Sequence, residues 1–122
     1  MAIFVKSKDK QVLLNKINDA VKSHMVPWSV DSEGDYTMND DKFKDCFWLH
    51  PYLNPDSDEY NIVFGMLGNS TQITTTRMYS LAHAKFVERL LDNFDVDIEF
   101  IRISSLGSNY DSLTIKSDKR SF

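Results

Sequence analysis

The chain has a single cysteine, Cys46, so it cannot form an internal disulfide and needs no oxidising compartment. Glycine and proline are also scarce, with four and three residues in 122, which argues against long disorder, collagen or repeats. No apolar run approaches the ~20 residues of a membrane-spanning helix, and the N-terminus becomes charged too soon for a secretory leader. We therefore expect one cytoplasmic domain over residues 1–122, with no membrane partner and a loosely ordered tail over 117–122.

Motifs for catalysis and cofactor binding are also missing. Gly65 and Gly68 follow an apolar run, but no third glycine completes a dinucleotide-binding turn. The phosphate loop, the nucleophile elbow and the zincin motif are all absent. No two of His24, His50 and His83 have the spacing of metal ligands on one helix or hairpin. We expect no metal and no cofactor, and an enzyme only if its active site assembles from residues distant in sequence.

Charge is distributed unevenly along the chain. The net charge is −4, yet residues 31–59 contain nine acidic and two basic residues and so carry −7. Nucleic acid binding depends largely on Lys and Arg, so no nucleic acid partner is expected, whereas a basic protein partner is favoured. The candidate acidic interaction surface comprises Asp31, Glu33, Asp35, Asp40, Asp41, Asp56 and Asp58.

Apolar spacing predicts two amphipathic helices, over 8–24 with Ser7 as the N-cap and over 75–93. A short apolar strand, at a sheet edge or as a tucked terminus, precedes the first helix. Four strands lie between the helices, the third running over 43–50 and ending at Pro51. A strand over 96–102 and a short one over 113–115 complete the chain. Short connections favour antiparallel neighbours, so we predict an α+β fold, with a mostly antiparallel sheet of five to seven strands and both helices on one face.

Aromatic residues suggest where a ligand would bind. On an alternating strand, Cys46, Trp48 and His50 share one side, so an aromatic platform and an imidazole would lie together. Packing of this face under a helix is the competing interpretation. The candidate ligand-binding residues are Trp28, Trp48, His50, Tyr52 and Phe64.

Three functions follow from these features. The first is a non-catalytic binding protein that uses its acidic, aromatic-containing surface towards a basic protein, as in an inhibitor or immunity-type role. The alternative is a domain that binds a small molecule, cationic molecules included, in an aromatic pocket between sheet and helices. The third is an enzyme, which no motif specifically supports. An exposed strand edge would in addition let two chains pair as a homodimer.

Overall fold

A computed structural model describes residues 2–69 and 75–104, and the backbone of 112–116. The chain forms an α+β fold whose order of strands and helices matches the sequence-based prediction. The elements are β1 (Ile3–Ser7), α1 (Lys10–Lys22), β2 (Trp28–Val30), β3 (Tyr36–Met38), β4 (Phe47–Tyr52), β5 (Ile62–Asn69), α2 (Thr76–Phe94), a 3-10 turn (Asp95–Asp97), β6 (Ile98–Ile103) and β7 (Ser112–Lys116).

The strands form one sheet in the order β2-β3-β4-β5-β1-β6, and every neighbouring pair along this path is antiparallel. The last strand, β7, pairs in parallel with the carboxyl-terminal half of β5. Since β5 has partners on both edges and is largely buried, it is a central strand of the sheet, as its apolar sequence favours. The first strand, for which an edge position was one expectation, is not at an edge, because β1 lies between β5 and β6.

Both helices pack on one face of the sheet and share a hydrophobic core with it. Phe86 of α2 stacks on Trp28, with ring centroids 4.3 Å apart, and meets Phe64 edge-on at 5.0 Å. Tyr36 of β3 donates its hydroxyl hydrogen bond to Asn18 Oδ1 of α1 at 2.6 Å. The predicted packing of two amphipathic helices against one sheet face is thus confirmed. No helix in the described ranges is long and apolar enough to cross a membrane.

The start of α1 differs from the prediction. Asp9 is the N-cap, and its carboxylate accepts hydrogen bonds from the backbone N–H groups of Gln11 and Val12. Ser7 cannot cap the helix because it still belongs to β1, where its hydroxyl donates to Asn61. The helix ends before His24, which has φ 60° in the left-handed region, and the Met25 N–H closes the end on the Ala20 carbonyl.

The third strand between the helices also differs. Residues 43–46 form a turn, in which Asp45 has φ 61°, so β4 begins only at Phe47. Pro51 lies inside β4, opposite Phe64 of β5, and does not end the strand. The pairing of β3 with β4 is confined to Tyr36 and Leu49. Pro51 has no N–H group to donate to a neighbouring strand, and at its position β3 does not need one.

Candidate functional site

The five candidate ligand-binding residues are divided between the two faces of the sheet. Trp28 and Phe64 belong to the core beneath the helices and are fully buried. Trp48 is also buried but is not part of that core cluster, since it alternates with the core residue Leu49 along β4. His50 and Tyr52 are on the same face as Trp48 and are partly exposed. The structure therefore brings together Trp48, His50 and Tyr52, but not all five in one pocket between sheet and helices.

A histidine–carboxylate pair lies on this second face. Because Tyr36 is paired with Leu49, the preceding residue Asp35 comes opposite His50. The Asp35 side chain is 1% exposed and its Oδ1 contacts His50 Nδ1, whereas the His50 side chain is 35% exposed. An ionised carboxylate only accepts hydrogen bonds, so such a carboxylate at Asp35 favours a proton on the Nδ1 side of the ring. The Tyr52 ring meets the imidazole edge-on at 4.7 Å, which limits the orientations of both rings.

The candidate acidic residues do not form one continuous surface. The 31–35 loop joins β2 to β3 and the 53–61 loop joins β4 to β5, so both lie at the same end of the antiparallel sheet. The 39–46 segment, with Asp40 and Asp41, lies at the opposite end. Asp35 is a correction to the prediction, since it is buried and cannot belong to an exposed surface. We call the first end the acidic end, formed by Asp31, Glu33, Asp56 and Asp58 with His50 and Tyr52.

Two of the acidic side chains also stabilise turns. Asp31 Oδ1 accepts from the backbone N–H groups of Glu33 at 2.8 Å and Asp35 at 3.1 Å, which orders the β2–β3 loop. Asp40 Oδ1 accepts from the Lys42 N–H at 2.8 Å. This backbone hydrogen bond is the main cause that lowers the pKa of Asp40, and the Lys85 ammonium adds to it. These carboxylates therefore shape their loops as well as charging them.

The β4–β5 loop is tied to the rest of the fold near both ends. Lys10 Nζ of α1 donates to the Leu53 carbonyl and, at 3.0 Å, to Asn54 Oδ1. Asn61 Oδ1 accepts from the Ser7 N–H and hydroxyl, both at 2.9 Å, and its amide donates to the Ser7 carbonyl. Between these anchors Asp56 and Asp58 are exposed. A loop anchored in this way loses less conformational entropy when a partner binds.

A cavity of about 270 Å³ lies away from the acidic end, between the β2–β3 ribbon and α2. Its lining combines two apolar residues with two acids and two bases: Pro27, Met38, Asp40, Lys85, Glu88 and Arg89. Of these, only Asp40 was predicted as a site residue. For two of the others, Lys85 and Arg89, the sequence signal is the i, i+4 placement of like charges on one side of a helix.

The remaining reactive side chains have packing roles. Cys46 donates its thiol hydrogen bond to the Lys42 carbonyl at 3.5 Å, and burial raises the pKa of the thiol, which disfavours the nucleophilic thiolate. His83 is buried in α2, with Nδ1 3.1 Å from the Tyr79 carbonyl. Over the described parts of the chain, no three His, Cys, Asp or Glu side chains converge as metal ligands would.

No family model, curated protein or solved structure matches the chain. The functional argument therefore depends on the side chains of the acidic end, of the histidine–carboxylate pair and of the cavity.

Proposed function

We propose that the chain is a non-catalytic binding protein that uses its acidic end to contact a basic protein, as an inhibitor or immunity-type protein would. The observation that carries the proposal is the Tyr36–Leu49 register. This register places the 31–35 and 53–61 loops at one end, beside the partly exposed rings of His50 and Tyr52. Carboxylates around aromatic residues provide both the steering charges and the anchoring side chains of a protein interface.

The charges and the aromatic ring would contribute differently to binding. An exposed ion pair contributes only about 0.2–1 kcal/mol, so the four acids govern the association rate and its dependence on salt. Tyr52 can cover an apolar or cationic group of the partner, and an aromatic anchor of this kind contributes ~2 kcal/mol or more in measured interfaces. We expect charge reversal to slow association, and Tyr52→Ala to accelerate dissociation.

The test compares affinity capture from a lysate of the source cells by three immobilised proteins. These are the wild type, the acidic-end variant Glu33→Lys/Asp58→Lys, and a matched control, Asp41→Lys/Asp92→Lys, which makes the same charge change at exposed sites elsewhere. The proposal predicts a basic protein that the wild type and the control capture at low salt, that the acidic-end variant loses, and that 0.5 M NaCl releases. Equal capture by the acidic-end variant would contradict it.

The contact between Asp35 and His50 favours a second candidate function, acid–base catalysis. A carboxylate that accepts from Nδ1 fixes the tautomer and leaves Nε2 free to take a proton from a substrate. The His50 side chain is 35% exposed, and this partial exposure supports access by a substrate. The test is a panel of hydrolase and isomerase substrates with the wild type and His50→Gln. Turnover by the wild type that the variant loses would support catalysis, and no turnover on any substrate would count against it.

A further inference from the structure

The cavity between the β2–β3 ribbon and α2 is lined by two basic residues of one helix, Lys85 and Arg89. Lys85 and Arg89 are one helical turn apart, and like charges at i, i+4 destabilise a helix by a few tenths of a kcal/mol. The Lys85 ammonium is compensated by Asp40, whose Oδ2 lies 3.6 Å away. Arg89 is half-buried, and it forms no ion pair with any residue in the ranges 2–69 and 75–104.

This arrangement favours an anionic group beside Arg89. A guanidinium presents its donors as a planar fork that matches a carboxylate in a bidentate geometry. Partial burial strengthens the attraction, since fewer water molecules screen it than at the open surface. An anion there would also relieve the repulsion between Arg89 and Lys85.

The same cavity contains groups that suit a cation. The Asp40 side chain is held in place by the Lys42 N–H, and Asp40 lines the cavity together with the exposed Glu88. Pro27, which precedes β2, and Met38 of β3 provide an apolar wall. The volume of about 270 Å³ lies just below the ~300–1,000 Å³ of typical ligand pockets, so the ligand must be small.

We propose that this cavity binds a small zwitterion of the α-amino acid class. Its carboxylate pairs with Arg89, its ammonium group with Asp40 and Glu88, and its side chain lies against Pro27 and Met38. The site does not depend on the proposed protein interface, because it lies away from the acidic end of the sheet. The chain would then respond to a metabolite at one site and contact a protein at another.

The test is a thermal-shift titration with the twenty standard amino acids, with acetate and propylamine as single-charge controls and NaCl to match ionic strength. At least one amino acid should raise the Tm in a saturable way, and neither acetate nor propylamine should reproduce that shift. Arg89→Gln should weaken the response about tenfold or more, as expected when a charge-assisted bidentate pair is lost. Arg77→Gln, an exposed arginine earlier in α2, should retain it.

Nuclear magnetic resonance of the wild type provides a second measurement, which remains decisive if Arg89→Gln does not fold. Amide shifts of Met38 and of residues 85–89 upon titration would place the ligand in the cavity, and shifts confined to other regions would overturn the proposal. It would likewise be overturned if no amino acid raised the Tm, if acetate alone acted as strongly, or if Arg89→Gln bound as well as the wild type.

Discussion

Burial of Tyr36 should make the fold sensitive to alkali. Burial raises the pKa of its hydroxyl from 10.0 to about 12, because the phenolate would lose its hydration. The unfolded chain releases this proton from about pH 10, whereas the folded chain keeps it to about pH 12. The stabilisation is therefore complete below pH 10 and is lost between pH 10 and 12. Two pKa units correspond to about 2–3 kcal/mol, of which about 2 kcal/mol should be lost by pH 11.5.

Urea unfolding of the wild type and Tyr36→Phe from pH 8 to 11.5 measures this effect. At pH 8 the variant should be about 1 kcal/mol less stable, since it loses the hydrogen bond to Asn18. Near pH 11.5 the order should reverse, because phenylalanine has no proton to release. Tyr60→Phe makes the same substitution at a partly exposed position. It is the matched control that separates the effect of burying Tyr36 from that of removing a tyrosine. If the wild type and Tyr36→Phe lost stability in parallel across this range, the reasoning would be refuted.

Three further substitutions test the packing, each by urea unfolding at neutral pH. His24→Gly should stabilise the chain by about 0.5–1 kcal/mol, because φ 60° is strained for histidine and not for glycine; a loss of stability would contradict the helix ending described above. Phe86→Ala removes the ring stacked on Trp28 and should cost about 3–5 kcal/mol, whereas a cost below 1 kcal/mol would mean a loosely packed core. His50→Ala takes a partner from the buried Asp35 carboxylate and should cost about 1–3 kcal/mol. Asp35→Asn in the same background should recover part of that cost, and a further loss would argue against a buried charge as its cause.

The helices and the order of elements could be predicted from the sequence because they depend on local patterns. In α2 the apolar residues repeat at helical spacing, and Thr75 caps the helix by accepting from the Met78 N–H. Errors arose where a distant contact decided the local structure. Ser7 has the chemistry of an N-cap, but its pairing in β1 and its bond to Asn61 keep it in the strand.

The site was less accessible to sequence reasoning, because it depends on register. Alternation correctly grouped Trp48 with His50. It wrongly added Cys46, which lies in the turn before β4 and packs against the core, and it could not show that Trp28 and Phe64 face the opposite layer. Likewise, a run of acidic residues in the sequence becomes two separate groups once β3 and β4 pair, and Asp35 becomes a buried partner of His50. The cavity requires Met38 and Arg89 to meet across 51 positions of sequence, which helical or strand periodicity cannot predict.

The central claim, that the acidic end contacts a basic protein, is tested most directly by mapping the contact on this chain. Once capture has identified the partner, ¹⁵N-labelled protein is titrated with it and the amide shifts are followed. The account predicts shifts over residues 31–35 and 50–59, with an affinity that falls steeply as salt rises. Shifts confined to residues 40–44 and α2, or an affinity indifferent to salt, would contradict it.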